Sequence, residues 1–183
     1  MDTGTISVRY ARALLKYAIE LGEEYKVYSD MDVLAKVYLN IPQLRSAIES
    51  PSLTATDKQK LLCEAAGGNP CGATQRFFQL VAHKRRTEFM QFIANSYMSL
   101  YLEYKHIVKG KLTVSTKINE ETVSKIQKLV ESHTGNTVEM EITTNPAIGG
   151  GFILEFGSYR IDASIGNQVK TIRKSLMQAA GNI

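Results

Sequence analysis

The stretch from Asn145 to Leu176 constrains the fold more than any other part of this chain. It opens on Asn145-Pro146, where proline fixes its own φ and pushes its predecessor out of the helical region. Gly149-Gly150-Gly151 follow, so the backbone there can take positive φ or meet another backbone closely. Phe152 to Phe156 and Tyr159 to Ile165 are short runs rich in β-branched and aromatic residues. Only Gly157-Ser158 separates them, which predicts a β-hairpin with a primed turn. Val169, Ile172 and Leu176 then recur at helical spacing, with Lys170, Arg173 and Lys174 between them.

The glycine run is not a phosphate loop. A Walker loop needs Lys-Ser or Lys-Thr after its last glycine, and Phe152-Ile153 stand there. A dinucleotide fingerprint needs a glycine three past Gly151, where Leu154 sits. Both loops open a helix, whereas this one opens a strand.

Upstream, the spacing predicts helices. Over residues 6 to 21, Ile6, Tyr10, Leu14, Tyr17 and Leu21 form one apolar stripe. Val8, Ala11, Leu15, Ala18 and Ile19 form a second on nearly the opposite side. Such a helix is either central in its domain or binds a partner with one face. A second helix is expected from about Glu23 to Leu39, and a short third from Pro42 to Ile48. Thr56-Asp57-Lys58-Gln59 has the capping-box pattern for a fourth, with a loop over Gly67 to Gly72. A fifth, about Thr74 to Lys84, carries Phe77, Phe78, Leu80, Val81 and Ala82 over a wide apolar arc. Lys84-Arg85-Arg86 ends it as a solvated cap complementing the helix dipole. A sixth repeats apolar residues from Phe89 to Tyr104.

The pattern changes near Lys109-Gly110. Leu112 to Thr116 alternates as a strand, Asn119 caps a helix to about His133 closed by Gly135, and Thr137 to Thr144 alternates again. The expected fold class is therefore α+β. A six-helix bundle over residues 1–107 precedes a small α/β domain over 108–183, with Val108 to Lys111 as the link.

The C-terminal stretch resembles the signature of the delta subunit of F-type ATP synthases, the OSCP family, in its bacterial form. That signature is an Asp-Pro-x-x-Ile-Gly-Gly turn, a hairpin, an Ile-Asp-Gly-Ser segment and a terminal basic helix. Here it reads Asn145-Pro146, Ile148-Gly149-Gly150, Ile161-Asp162-Ala163-Ser164 and the helix after Gly166. Asn145 stands for the acid, Ala163 for a glycine, and Gly151 is one glycine more. Tyr10-Ala11-Arg12-Ala13-Leu14 matches the family's N-terminal Tyr-Ala-x-Ala-Leu, and the resemblance spans the chain in this order.

The resemblance implies a non-catalytic stator subunit, peripheral to the cytoplasmic face of a bacterial inner membrane. It would link the alpha subunits of the catalytic head to the b subunits of the peripheral stalk, so that rotor torque drives ATP synthesis. The first and fifth helices would form a groove for alpha-subunit N-terminal helices, with Tyr10, Ala11, Leu14, Phe78 and Val81 as its expected lining. The small domain would hold the b subunits, and Asn145, Pro146, Gly149, Gly150, Asp162 and Ser164 are its structural signature. Asp162 is expected to bond locally to Ser164 or a turn amide rather than to catalyse.

No catalytic, metal-binding, cofactor or small-molecule site is expected. His83, His106 and His133 stand apart without ligand spacing, and Cys63 and Cys71 form no CxxC. No apolar run approaches the length of a membrane span, and the N-terminus has no secretory or transit pattern. The alternative is a nucleic-acid-binding adaptor using Lys84 to Arg86 and the last helix. The net charge of +4, spread as +3 over residues 1–109 and +1 over the rest, argues against it. Salt separates the two, because phosphate contacts weaken steeply with salt and an apolar groove much less.

Overall fold

The structure, a computed structural model, describes the backbone of residues 3–157 and 159–180, and the side chains through residue 173 except at 3, 120 and 134. It combines helices with one small sheet. Contacts divide the chain into two compact units, Met1–Lys105 and His106–Ile183.

The first unit contains α1 (Thr3–Leu21), α2 (Glu24–Asn40), α3 (Pro42–Glu49), α4 (Ala55–Ala65), α5 (Gly72–His83), a 3-10 turn at Thr87–Phe89, and α6 (Met90–Tyr104). Local chemistry sets their starts. Pro42 occupies the first turn of α3, where its missing N–H is not needed. The cap of α4 is Thr54, two residues before the expected Thr56. Thr54 has an extended backbone, and its Oγ1 accepts from the Asp57 N–H at 3.2 Å and donates to the Asp57 carboxylate at 2.6 Å. The loop expected through Gly72 stops at Cys71, whose N–H is taken by the Asp30 carboxylate at 2.9 Å, and α5 starts at Gly72.

One continuous core fills this unit. Ile93, Ala94 and Tyr97 bring α6 against Ala11, Leu14 and Ala18 of α1 and Val27, Met31 and Leu34 of α2 in the same buried cluster. The buried Tyr97 hydroxyl donates to the Glu24 carbonyl at 3.1 Å, which avoids leaving a polar group unpaired in the core. The two stripes of α1 fare differently from their even description in sequence. Ala11, Leu15 and Ala18 of the second stripe are buried, while Val8 and Ile19 stay exposed at its edges.

The second unit contains β1 (Ile107–Val114), α7 (Glu120–Thr134), β2 (Thr137–Thr144), a 3-10 turn at Pro146–Ile148, β3 (Phe152–Phe156), β4 (Tyr159–Asp162) and α8 (Ile165–Ala180). The sheet order is β2-β1-β3-β4. β1 and β2 are parallel with α7 as the crossover, and the other neighbours are antiparallel. Residues 108–111, expected as a link, lie inside β1. Gly110 belongs in a strand because a Cβ there would come within 3.1 Å of Met140 Sδ and 3.3 Å of Val138 Cγ1. Leu112, Val114, Val138 and Leu154 form the core with Val130 of α7. On the opposite face Glu141, Lys111, Glu155 and Arg160 lie in register across all four strands, with alternating charge. Cross-strand pairs of opposite sign stabilise that face without apolar cover.

The signature residues tie the start of α8 to the sheet. β4 ends at Asp162 rather than running to Ile165, because the Asp162 carboxylate accepts from the Ser164 N–H at 3.1 Å and hydroxyl at 2.5 Å. The Ser164 hydroxyl oxygen accepts from the Asn167 N–H at 3.2 Å and so caps α8. Those bonds from Ser164 hold the Asp162 carboxyl below the ordinary aspartate range. Their contribution is present above that range and fades as pH falls through the lowered value. The glycines run alongside. The Gly150 carbonyl accepts from the Ile165 N–H at 3.0 Å, and the Phe152 carbonyl from the Ala163 N–H at 2.9 Å. A Cβ on Gly151, at φ +75°, would collide with the Ala163 carbonyl oxygen. Asn145 serves as the acceptor that opens the turn, its Oδ1 taking the Ala147 N–H at 3.0 Å. Ala163 has no positive φ, so no glycine is needed there. Gly157, at φ +55°, suits a primed turn, whose second residue, Ser158, lies outside the described residues.

Gly151→Ala is expected to lower the unfolding free energy of the second unit by about 3 kcal/mol, combining the left-handed backbone with the collision. Gly149→Ala, at φ +73° with nothing within 4 Å, should cost about 1 kcal/mol. Denaturant unfolding of both variants checks this, and equal costs would contradict the packing account.

Candidate functional site

An open groove of about 630 Å³ lies between α1 and α5. Tyr10, Leu14 and Tyr17 form its α1 wall, and Phe77 and Leu80 its α5 wall. Three and four residues apart, each set recurs on one helical face. Leu80 is 48 % exposed, so this apolar floor faces water. The Tyr10 and Phe77 rings meet edge to face at 6.4 Å between centroids.

Each end of the groove carries an arginine–tyrosine bond. Arg76 Nη1 donates to the Tyr17 hydroxyl oxygen at 2.8 Å, and Arg86 Nη1 to that of Tyr10 at 3.0 Å. The order of these pairs shows that α1 and α5 run antiparallel. The Arg86 guanidinium also sits 5.4 Å from the Tyr10 ring centroid, a cation–π distance. The end of α5 puts it there. The Arg85 N–H bonds to the Ala82 carbonyl and the Arg86 N–H to the Val81 carbonyl, both at 3.0 Å, with Arg85 at φ +54°. This is a Schellman cap with arginine where glycine is usual, at a cost of about 1 kcal/mol. The basic triplet is thus a helix end that turns Arg86 back onto α1.

The structure separates the five residues expected to line the groove. Tyr10 and Leu14 line it. Ala11, Phe78 and Val81 are fully buried in the core and do not. At 100° per residue, Phe77, Leu80 and Lys84 share one row of α5, while Phe78 and Val81 fall on the next row, which turns inward. Sequence reasoning missed Arg9, Ala13, Tyr17, Arg76, Phe77, Leu80, Lys84 and Arg86 as groove residues. Tyr17 and Leu80 already stood in the apolar stripe and arc, but periodicity alone does not say which row is inward.

The six signature residues lie in the second unit, in the turn and cap of α8. Beyond them Ile165, Val169 and Ile172 are each at least half exposed, an apolar row along α8. The side chains of Lys174 and Leu176 lie outside the described residues. Among the described residues no group of His, Cys, Asp and Glu could hold a metal, and no helix is long and apolar enough to cross a membrane. Burial raises both cysteine thiols, Cys63 and Cys71, above their ordinary value.

The family model described as ATP synthase delta (OSCP) subunit matches residues 6–176. The chain belongs to that family. Curated relatives named ATP synthase subunit delta agree. One from Phocaeicola vulgatus is 44 % identical over 97 % of this chain and 96 % of its own length. Another, from Parabacteroides distasonis, is 39 % identical over 97 % and 99 %. A chain of the Toxoplasma gondii mitochondrial ATP synthase hexamer shares the fold at a TM-score of 0.65 and 18 % identity, covering 93 % of this chain and 97 % of that one. As a delta (OSCP) subunit the protein is a non-catalytic stator component of the F-type ATP synthase, a membrane-associated complex.

The groove and the core beneath it respond differently to a charge. Val81→Asp should unfold the first unit, losing about 4 kcal/mol or more. Leu80→Asp should cost about 1 kcal/mol or less, because water already reaches that side chain. Thermal melts of the two variants check this, and comparable losses would place Leu80 in the core instead.

Proposed function

We propose that the α1–α5 groove receives the N-terminal helix of an ATP synthase alpha subunit, while the second unit holds the C-terminal ends of the b subunits. On this reading residues 1–107 are a six-helix bundle on the catalytic head. Residues 108–183 are the stalk-binding domain, and the protein sits at the cytoplasmic face of a bacterial inner membrane. The observation that carries it is the groove. The two helices that the family resemblance names as its walls are the two that leave an open apolar channel. From Tyr10 to Tyr17 that channel follows about 10 Å of α1, two turns, which suits the apolar stripe of a docked amphipathic helix. The exposed row Ile165, Val169 and Ile172 gives the second unit a matching helical surface for the stalk.

Calorimetric titration of the full chain with peptides from the same organism's alpha N-terminus and b C-terminus tests both halves. Leu80→Asp should abolish alpha-peptide binding and leave the b peptide unaffected. Ile172→Asp should do the reverse. Retention of alpha-peptide binding by the folded Leu80 variant would remove the groove from the proposal.

A further inference from the structure

Resting on that reading of the groove, we infer that it selects an acidic amphipathic helix and fixes its direction, with the acidic end against Arg9, Lys84 and Arg86. Among the described residues four cations and no acid line the groove, in a chain whose whole net charge is +4. They are unevenly placed. Arg86 bonds to Tyr10, next to Arg9, and Lys84 lies at the same end of α5. Among the described lining residues Arg76 is the lone cation at the other end, bonded to Tyr17. The negative pole of the α5 dipole falls at the three-cation end, but its half charge is outweighed by three full ones.

The floor between the ends is apolar, and an apolar stripe can be inverted with little loss. The graded charge cannot. An inverted helix sets its acids against one lining cation in place of three, so orientation is set by the difference in attraction between the two ends. The two arginine–tyrosine bonds hold Arg76 and Arg86 in place before the partner arrives, which reduces the side-chain freedom lost on docking.

The test titrates the full chain with the alpha N-terminal peptide in its native form and with its acidic residues changed to amides. A third peptide carries a nitroxide at the end richer in acid. The amide form should bind about tenfold more weakly at low salt, with the difference shrinking to about twofold at about 0.5 M. Arg9→Gln combined with Lys84→Gln, both exposed positions, should reproduce the loss and show little further loss with the amide peptide. The nitroxide should broaden the amide resonances of Arg9 and of residues 84–86 before those near Arg76. Equal binding of the charged and amide peptides, or broadening first near Arg76, overturns the inference and leaves the groove reading standing. A native peptide that binds without any acidic cluster overturns it as well. Failure of every peptide to bind the folded chain overturns both.

Discussion

Helix α1 carries more apolar surface than its own unit covers, and much of the molecule's behaviour follows from that excess. Its inner row is taken up by α2, α5 and α6, where Ala11, Leu14 and Ala18 reach full or near-full burial. The row through Tyr10, Ala13 and Tyr17 borders the open groove beside α5. Water disfavours such a channel at roughly 25 cal/mol per Å² of apolar surface, so a fitted helix gains from covering it. The cations that line it oppose the pairing of two such channels face to face.

The second unit solves a different problem, which is how to hold a helix to a small sheet that buries few residues. It does so with backbone hydrogen bonds and one side-chain knot. Gly150 and Phe152 offer carbonyls to Ile165 and Ala163, and Asp162 and Ser164 set the first turn of α8. Gly150 and Gly151 give the steric clearance that Ile165 and the Ala163 carbonyl need, and Gly149 takes a left-handed backbone. Fixing the first turn orients the exposed row of α8.

Much of this was legible in the sequence. Periodicity and breakers place the helices and strands, and the signature residues do the local structural work expected of Asn145, Asp162 and Ser164. The misses have physical causes. Thr54 and Thr56 both head plausible caps, and only backbone conformation chooses between them. Gly110 looks like a breaker until Met140 is seen to fill its space. Ala11, Phe78 and Val81 were expected in the groove because an apolar arc does not announce which row its neighbours cover. The arginine–tyrosine bonds pair residues 59 and 76 positions apart, a separation to which local pattern is blind.

The most direct measurement is the accessibility of position 80 in the working enzyme. Leu80→Cys would be labelled with a maleimide in the isolated subunit and in the assembled ATP synthase, with the modified residue assigned by peptide mapping against Cys63 and Cys71. The account predicts fast labelling when the subunit is free and strong protection after assembly. Equal labelling in both states would mean that the groove stays open to water in the enzyme, and the central claim would fail.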